Sequence, residues 1–145
     1  MKNKKLYTIL SWTWGLPLTL VGYVIIGVLM FAGYAPRKWG GCYYFVIGKN
    51  WGGFCLGSVI VVSSYSYKES VLNHEFGHSI QNCYFGFLCP FIVSIPSFVR
   101  CCYREVIVRL KLKKYSELPD YYSVWFEKQA SELGEASIKY WSAER

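Results

Sequence analysis

The feature that most constrains the fold is a run of thirty residues, Leu6 to Ala35, that contains no charged side chain. The basic sequence MKNKK precedes this run, and Arg37 and Lys38 follow it. As one helix it would reach about 45 Å, compared with roughly 30 Å of bilayer hydrocarbon, so it is long enough to cross once and too short to cross twice. A secretory signal has a shorter apolar core, and FAGYAPRKW is a poor cleavage site. We therefore predict a transmembrane helix that anchors the chain within residues 1–38.

The basic residues favour a lipid surface as a partner. The chain carries a net charge of +7, concentrated in MKNKK and in residues 100–115. A basic stretch beside apolar segments is typical of contact with anionic lipid headgroups, so we expect a bilayer partner and no nucleic acid. Lysines and arginines on the two sides of the anchor nearly balance. The basic stretch and the six cysteines, which match no disulfide framework, favour the cytoplasmic side of the cell membrane for the remaining domain.

The sequence after the anchor predicts an α+β domain over residues 39–145. Residues 42–47 and 58–63 are rich in β-branched and aromatic side chains, and GKNWGG between them predicts a β-hairpin. SYKE, residues 66–69, has the form of a capping box and predicts a helix from about Tyr67 to Asn82.

The apolar segment 83–99 is interrupted by Gly86, Pro90 and Pro96, so it is poorly suited to one straight helix. It is either a re-entrant or interfacial membrane segment or a buried connection. VIVRLKLKKY, which follows within residues 97–114, predicts either an amphipathic helix or a strand. Pro119 and Asp120 then predict the start of a last helix, which Gly134 is placed to end.

The chemistry of the chain is concentrated in HEFGH, which contains its only two histidines. On a helix, His74 and His78 lie one turn apart on one face and can direct their rings at a single metal ion. Glu75 projects at an adjacent angle, where it can act on a water molecule that zinc has activated. We predict a zinc site here, with Glu75 as its general base. An H-x-x-x-H pair on a solvated helix without metal is the simpler alternative.

A catalytic zinc ion has three protein ligands, and the chain has no third histidine. The third ligand is therefore a carboxylate or a cysteine. Glu127 lies in the predicted last helix, where Ala130 leaves room for close packing against the first. The downstream carboxylates are Glu105, Glu117, Asp120, Glu127, Glu132, Glu135 and Glu144.

This pattern resembles the gluzincins, thermolysin-like zinc peptidases in which HExxH on one helix is completed by a glutamate in an E-x-x-A or E-x-x-S pattern on a second. HEFGH and EKQA match the two parts. VIGKNWGG, NHEFGHSIQNCYFG, PFIVSIPSFVR and YYSVWFEKQASELG are also similar to a family of small uncharacterised bacterial membrane proteins with a metallopeptidase motif. That similarity covers most of residues 39–134.

The resemblance implies that His74, His78 and Glu127 are the zinc ligands and that Glu75 is the general base. Larger gluzincins carry an aspartate that orients a ligand histidine at the position that Ser131 occupies here, so the resemblance gives Ser131 a weaker, uncharged version of that role. It also implies that a strand before the metal helix, here SVIVVS, offers its edge to an extended substrate. Tyr121 or Tyr122 is the candidate that would stabilise the oxyanion.

We therefore predict a membrane-anchored zinc metallopeptidase whose substrate is a peptide or a membrane-proximal protein segment. A single crossing by residues 83–99 would separate His74 and His78 from Glu127, so we expect this segment not to cross. One alternative is a membrane protein in which a structural zinc ion, with a fourth ligand such as Cys83, clips two helices together. Another is a lipid-surface binding module that needs no metal.

Overall fold

A computed structural model describes residues 1–143 of the chain and has an α+β fold, as the sequence predicts. The helices are α1 (Lys4–Trp12), α2 (Leu16–Phe31), α3 (Glu69–Phe85), α4 (Ile95–Arg109) and α5 (Trp125–Ala143). The strands are β1 (Arg37–Trp39), β2 (Cys42–Val46), β3 (Gly53–Leu56) and β4 (Val59–Val62). Two short turns of other helical types, Gly86–Leu88 and Pro90–Ser94, join α3 to α4.

The uncharged N-terminal run forms two helices and not one. Its helices α1 and α2 meet at an angle of 88°. Gly15 and Pro17 explain this corner, because Pro17 is suited to the first turn of a new helix and Gly15 allows close approach to α3. The Asn82 side chain donates a hydrogen bond to the Gly15 carbonyl over 3.0 Å. Among the described residues no single helix is both long and apolar enough to cross a membrane, although two bent pairs have the length and composition.

The predicted hairpin between residues 42–47 and 58–63 is wrong. The strands β2 and β4, which occupy these stretches, pair in parallel, and the sheet order is β1-β2-β4-β3. The two hairpins are β1-β2 and β3-β4, and each turns at a glycine with positive φ, Gly40 (56°) and Gly57 (59°). GKNWGG instead carries the chain from β2 towards β3, a strand that the sequence did not reveal.

The start of α3 also differs from the prediction. The helix begins at Glu69 and its N-cap is Lys68, without a side-chain cap. Ser66, the first residue of the predicted capping box, instead donates its hydroxyl to the Trp51 carbonyl over 2.8 Å. The Ser66 side chain therefore contacts the loop before β3 and does not cap α3.

The apolar segment 83–99 bends sharply, as its glycine and prolines suggest. The helical stretches Glu69–Leu88 and Pro90–Arg109 meet at a bend of 118°, and the second stretch continues as α4. The sequence VIVRLKLKKY starts as a helix, which ends at Arg109. The bend places α4 across a cavity from β3.

Helices α3 and α5 pack closely through glycine. A Cβ atom on Gly77 would lie 1.8 Å from the Ala130 carbonyl oxygen, and one on Gly134 would lie 1.8 Å from that of Asn73. Gly134 therefore does not end the last helix as predicted, since α5 continues to Ala143 and uses the glycine for packing. This contact places the helix that carries His74 and His78 beside the helix that carries Glu127. The predicted start at Asp120 is a short separate turn, Tyr121–Ser123, before α5 begins.

Candidate metal centre

The closely packed helices bring His74, His78 and Glu127 together in a buried cluster that could hold a metal ion. His74 Nε2 lies 3.1 Å from Glu127 Oε2, and His78 Nε2 lies 3.4 Å from the same oxygen. The two Nε2 atoms are 3.2 Å apart. Three donor atoms on two helices thus face one point.

These three distances fit a small tetrahedral cation. Ligand atoms 2.0–2.1 Å from zinc at tetrahedral angles are separated by about 3.3 Å. Glu127 Oε2 is also fully buried and has no hydrogen-bond donor unless one of the histidines carries a proton on Nε2. A cation would satisfy this oxygen and both ring nitrogens at once.

Each donor group is held from behind by a polar side chain. Ser131 Oγ lies 2.9 Å from His74 Nδ1, and Gln81 Oε1 lies 2.8 Å from His78 Nδ1. Ser97, on α4, donates its hydroxyl to the other oxygen of Glu127. Ser131 is a residue that the sequence nominated for this position. Gln81 and Ser97 were not predicted. The spacing of Gln81, three residues after His78 on the same helix, could have indicated its contact with that ring. Ser97 reaches the site only because the chain bends back.

The electrostatics of the cluster favour positive charge. Burial alone would raise the pKa of Glu127, but hydrogen bonds from His74 and His78 hold it below its usual value. Burial alone would lower the pKa of His78, but a protonated ring would be stabilised by Glu127 and by the nearby Glu75 charge, which raises the pKa above its usual value. The negative charge of Glu127 therefore stabilises positive charge within the cluster. The same field attracts a cation.

Glu75 is buried beside the cluster and is not part of it. Burial raises the pKa of its carboxyl above the usual value. Glu75 and His78 both line a cavity of about 1150 Å³ that lies between β3 and α4. Gly53 of β3 is so close that a Cβ atom there would lie 3.1 Å from Glu75 Oε1. The carboxylate therefore faces the space beside the edge of the sheet.

The other candidate ligands lie elsewhere in the structure. Cys83, the suggested fourth ligand of a structural site, faces α1, where its sulfur lies 3.3 Å from Ser11 Oγ. Among residues 1–143, the metal-competent group contains three side chains. Glu105 pairs with Arg109, Glu117 bonds the Lys114 amide, Asp120 caps a turn, Glu132 pairs with Lys128, and Glu135 is exposed. Glu144 lies outside the described residues.

The two tyrosines occupy different places. The rings of Tyr122 and His74 pack edge to face, with ring centroids 5.2 Å apart. The Tyr121 hydroxyl lies 3.3 Å from Ser97 Oγ, and Arg100 and Arg104 flank its ring. Burial raises the pKa of both phenols. Both therefore remain protonated donors near neutral pH.

The strand SVIVVS is not available to a substrate. It contains β4, which is paired with β2 on one side and with β3 on the other. The edge strand next to Glu75 is β3, which is the partner of β4 in the β3-β4 hairpin. The alternation of the sequence could not reveal this, because β3 is short and starts with glycine.

Comparison with known proteins adds no assignment. The chain matches no protein-family model, no curated protein and no solved structure. The resemblance to gluzincins therefore depends on the two motifs alone and stays a prediction.

Proposed function

We propose that the chain is a membrane-associated zinc metallopeptidase of the gluzincin type. The observation that carries this proposal is the triangle of His74, His78 and Glu127 donor atoms, 3.1 to 3.4 Å apart, beside the buried Glu75. A ligand set of two histidines and one glutamate is that of catalytic zinc in known peptidases. The metal identity is part of the proposal.

The number of ligands favours catalysis over a structural clip. Structural zinc sites are usually closed by four protein ligands, whereas catalytic sites have three and leave a position for water. The described part of the chain offers three, and Cys83 faces α1. The cavity beside His78 would let water and substrate approach the remaining position.

Zinc bound here would act as a Lewis acid that lowers the pKa of a water ligand towards about 7. Glu75 would take the proton from the attacking water and later pass it to the amine that leaves. Its position one residue after His74 puts its carboxylate beside the cluster, and burial raises its pKa, which makes the carboxylate a better proton acceptor. Tyr122, whose ring contacts His74, would donate a hydrogen bond to the developing oxyanion. Tyr121 is the weaker candidate because Ser97 lies next to its hydroxyl.

The substrate that this geometry favours is an extended peptide. As an edge strand, β3 has one side open to a further strand, and its backbone could pair with a peptide laid along it. The cavity beside β3 is lined mainly by apolar side chains, including Phe54, Leu56, Val93 and Phe98. We therefore expect a peptide or membrane-proximal protein segment with apolar side chains next to the cleaved bond.

Two apolar surfaces support attachment to a bilayer. Val24 and Val28 of α2 are 67% and 62% exposed, and Val99 of α4 is 58% exposed. Leu18 packs against Cys89 and Val93, which connects α2 to the segment that leads into α4. Three exposed lysines follow α4 and would meet anionic headgroups: Lys111, Lys113 and Lys114. We infer an interfacial attachment by α2 and α4, with the site on the cytoplasmic side.

The metal and the reaction are tested together on the full-length chain. Purified protein should contain about one zinc ion per chain by elemental analysis, and Glu127→Ala should lose most of it. Glu75→Gln should keep the zinc but lose hydrolysis of a quenched-fluorescent peptide library. Full zinc in Glu127→Ala removes that ligand, and unchanged hydrolysis in Glu75→Gln removes the general base. Wild-type protein without zinc would overturn the proposal.

Attachment to lipid is tested by flotation with vesicles that contain phosphatidylglycerol. Val24→Asp combined with Val99→Asp should reduce the bound fraction, because each charge would enter the apolar layer. Ala136→Asp, an equivalent change on the exposed face of α5, is the control and should bind like the wild type. Equal binding by all three proteins would refute the assigned surfaces. In intact cells, a membrane-impermeant maleimide should label Cys102 only after lysis if the domain is cytoplasmic.

A further inference from the structure

Gln81 is a fully buried polar residue directly behind the candidate metal centre. It lies on α3 three residues after His78, and its side chain has no exposed surface. Its Oε1 is 2.8 Å from His78 Nδ1. Its Nε2 donates to the Phe126 carbonyl oxygen over 2.7 Å and to Gln129 Oε1 over 3.0 Å. One amide therefore connects a ligand histidine to the opposite helix.

The Phe126 carbonyl determines which way this amide points. A carbonyl oxygen can only accept a hydrogen bond, so the NH₂ group of Gln81 must face Phe126. Oε1 must then face His78, and it too can only accept. The hydrogen bond therefore requires a proton on His78 Nδ1, and a neutral imidazole with that proton has a bare Nε2.

The bare Nε2 is the atom that faces the other two donors. It lies 3.2 Å from His74 Nε2 and 3.4 Å from Glu127 Oε2. In the opposite tautomer a proton would occupy the space between these atoms, and a cation could bind only after that proton moved. The position of the Phe126 carbonyl, one residue before Glu127, also links the orientation of His78 to the start of the helix that carries the third ligand.

We propose that Gln81 is a positioning residue that sets the Nδ1-protonated tautomer of His78, so that Nε2 is free to bind the metal ion. The consequence for metal binding rests on the proposed function, whereas the tautomer itself does not. Ser131 supports His74 in a similar way, but its hydroxyl can rotate and can donate as well as accept. Gln81 differs because its orientation is fixed by a backbone group on α5.

The first test compares two identical substitutions. Gln81→Met removes the acceptor for His78 Nδ1, whereas Gln129→Met removes a partner of the Gln81 amide and leaves His78 untouched. Zinc affinity of the full chain is measured by competition with a chelating zinc indicator. Gln81→Met should weaken zinc binding by about 10- to 100-fold, and Gln129→Met should change it by less than about threefold. Wild-type affinity in Gln81→Met would overturn the proposal.

The second test reads the tautomer directly and needs no variant. In the metal-free chain, at a pH where the ring is neutral, the ¹⁵N resonances of His78 distinguish a protonated ring nitrogen from a bare one. We expect the proton on Nδ1 in the wild type and in Gln129→Met, and a mixture of tautomers in Gln81→Met. A wild-type proton on Nε2 would overturn the proposal even if Gln81→Met failed to fold. A chain that binds no zinc would refute the proposed function, and the resonances would still decide the role of Gln81.

Discussion

Gly77 and Ala130 lie in such close backbone contact that a Cβ atom on the glycine would come within 1.8 Å of the alanine carbonyl oxygen. Gly77 lies between His74 and His78 in sequence, and Ala130 lies three residues after Glu127. Their contact therefore sets the distance between the helices at the level of His74, His78 and Glu127. Because Gly77 has no side chain, α3 and α5 can approach closely enough to bring the three residues together.

Gly77→Ala should consequently separate α3 from α5 and disturb the cluster. The obstacle is backbone, so no change of side-chain rotamer can relieve the overlap, and overpacking of this kind costs about 1–3 kcal/mol or more. We expect a lower free energy of unfolding in chemical denaturation and a loss of zinc affinity. Gly27→Ala is the matched control, since Gly27 has open space around it on α2. There the substitution should be neutral or stabilising by about 0.5–1 kcal/mol, and equal stability of the two variants would contradict the packing argument.

Ser131 should tune the metal affinity through His74. Its hydroxyl donates to the Glu127 carbonyl over 3.3 Å and can thus accept from His74 Nδ1, 2.9 Å away. Ser131→Ala removes the acceptor and should weaken zinc binding by about 10-fold or more, whereas Ser131→Asp supplies a charged acceptor and should strengthen it. Chelator competition measures both.

The control for this prediction is Ser137→Ala, which deletes a buried hydroxyl on the same helix away from the site. Ser137 Oγ accepts a hydrogen bond from the N-terminal amine of Met1. Its removal should lower stability and leave zinc affinity unchanged. Equal zinc affinity in Ser131→Ala and Ser137→Ala would show that the serine beside His74 has no such role.

The site was more predictable than the sheet because its geometry is largely local. His74 and His78 share a face of any helix, and a chain with no further histidine must supply a third donor of another type, such as the Glu127 carboxylate. The pairing of β2 with β4 depends on contacts between distant residues. The sequence of a single strand does not show whether its partner runs parallel or antiparallel. The predicted antiparallel hairpin of β2 with β4 was therefore wrong.

Glycine was the residue whose meaning the sequence left most ambiguous. Gly134 follows a helical pattern, where it commonly ends a helix, yet here it allows α5 to touch the Asn73 carbonyl. Gly15 lay inside an apolar run long enough for one helix, yet with Pro17 it forms a corner held by Asn82. In both cases the deciding partner lies more than fifty residues away in sequence, beyond the reach of a local pattern.

The cysteines should divide into buried and reactive groups. Burial raises the pKa of the Cys83 thiol to about 11 and that of Cys89 to about 12, whereas Cys102 is exposed on α4. Because the thiolate is the reactive form, iodoacetamide at pH 8 should label Cys102 in the native chain and leave Cys83 and Cys89 unmodified until denaturation. Mass spectrometry of the peptides measures this, and equal labelling of Cys89 and Cys102 would contradict the buried assignment.

The raised pKa values of Cys83 and Cys89 also predict that the folded chain loses stability at alkaline pH. Their pKa values in the folded chain lie above the unfolded value of about 8.5, so the unfolded chain loses these protons first. Their contribution to stability is complete below about pH 8.5 and is lost as the pH rises towards 11 and 12. Replacing both with alanine should flatten this part of the stability profile, as measured by urea unfolding. A profile as steep as that of the wild type would exclude these thiols as its source.

A substitution at Gly53 tests the proposed role of Glu75 without changing His74, His78 or Glu127. A Cβ atom at this position would lie 3.1 Å from Glu75 Oε1 and 2.9 Å from a methyl carbon of Val62. The Val61 carbonyl oxygen lies at 3.3 Å and Val62 is buried, so the Glu75 carboxylate is the neighbour with most room to move. Gly53→Ala should therefore lose some stability but still fold and bind zinc, with the carboxylate shifted. We expect peptide hydrolysis to fall by about 10-fold or more, because general-base catalysis depends on placement within hydrogen-bond reach of the water. Gly52→Ala is the adjacent control, since nothing lies within 4 Å of its Cβ position, and it should keep wild-type hydrolysis. Equal activity of the two variants, with zinc content unchanged in both, would mean that the position of Glu75 does not limit the reaction.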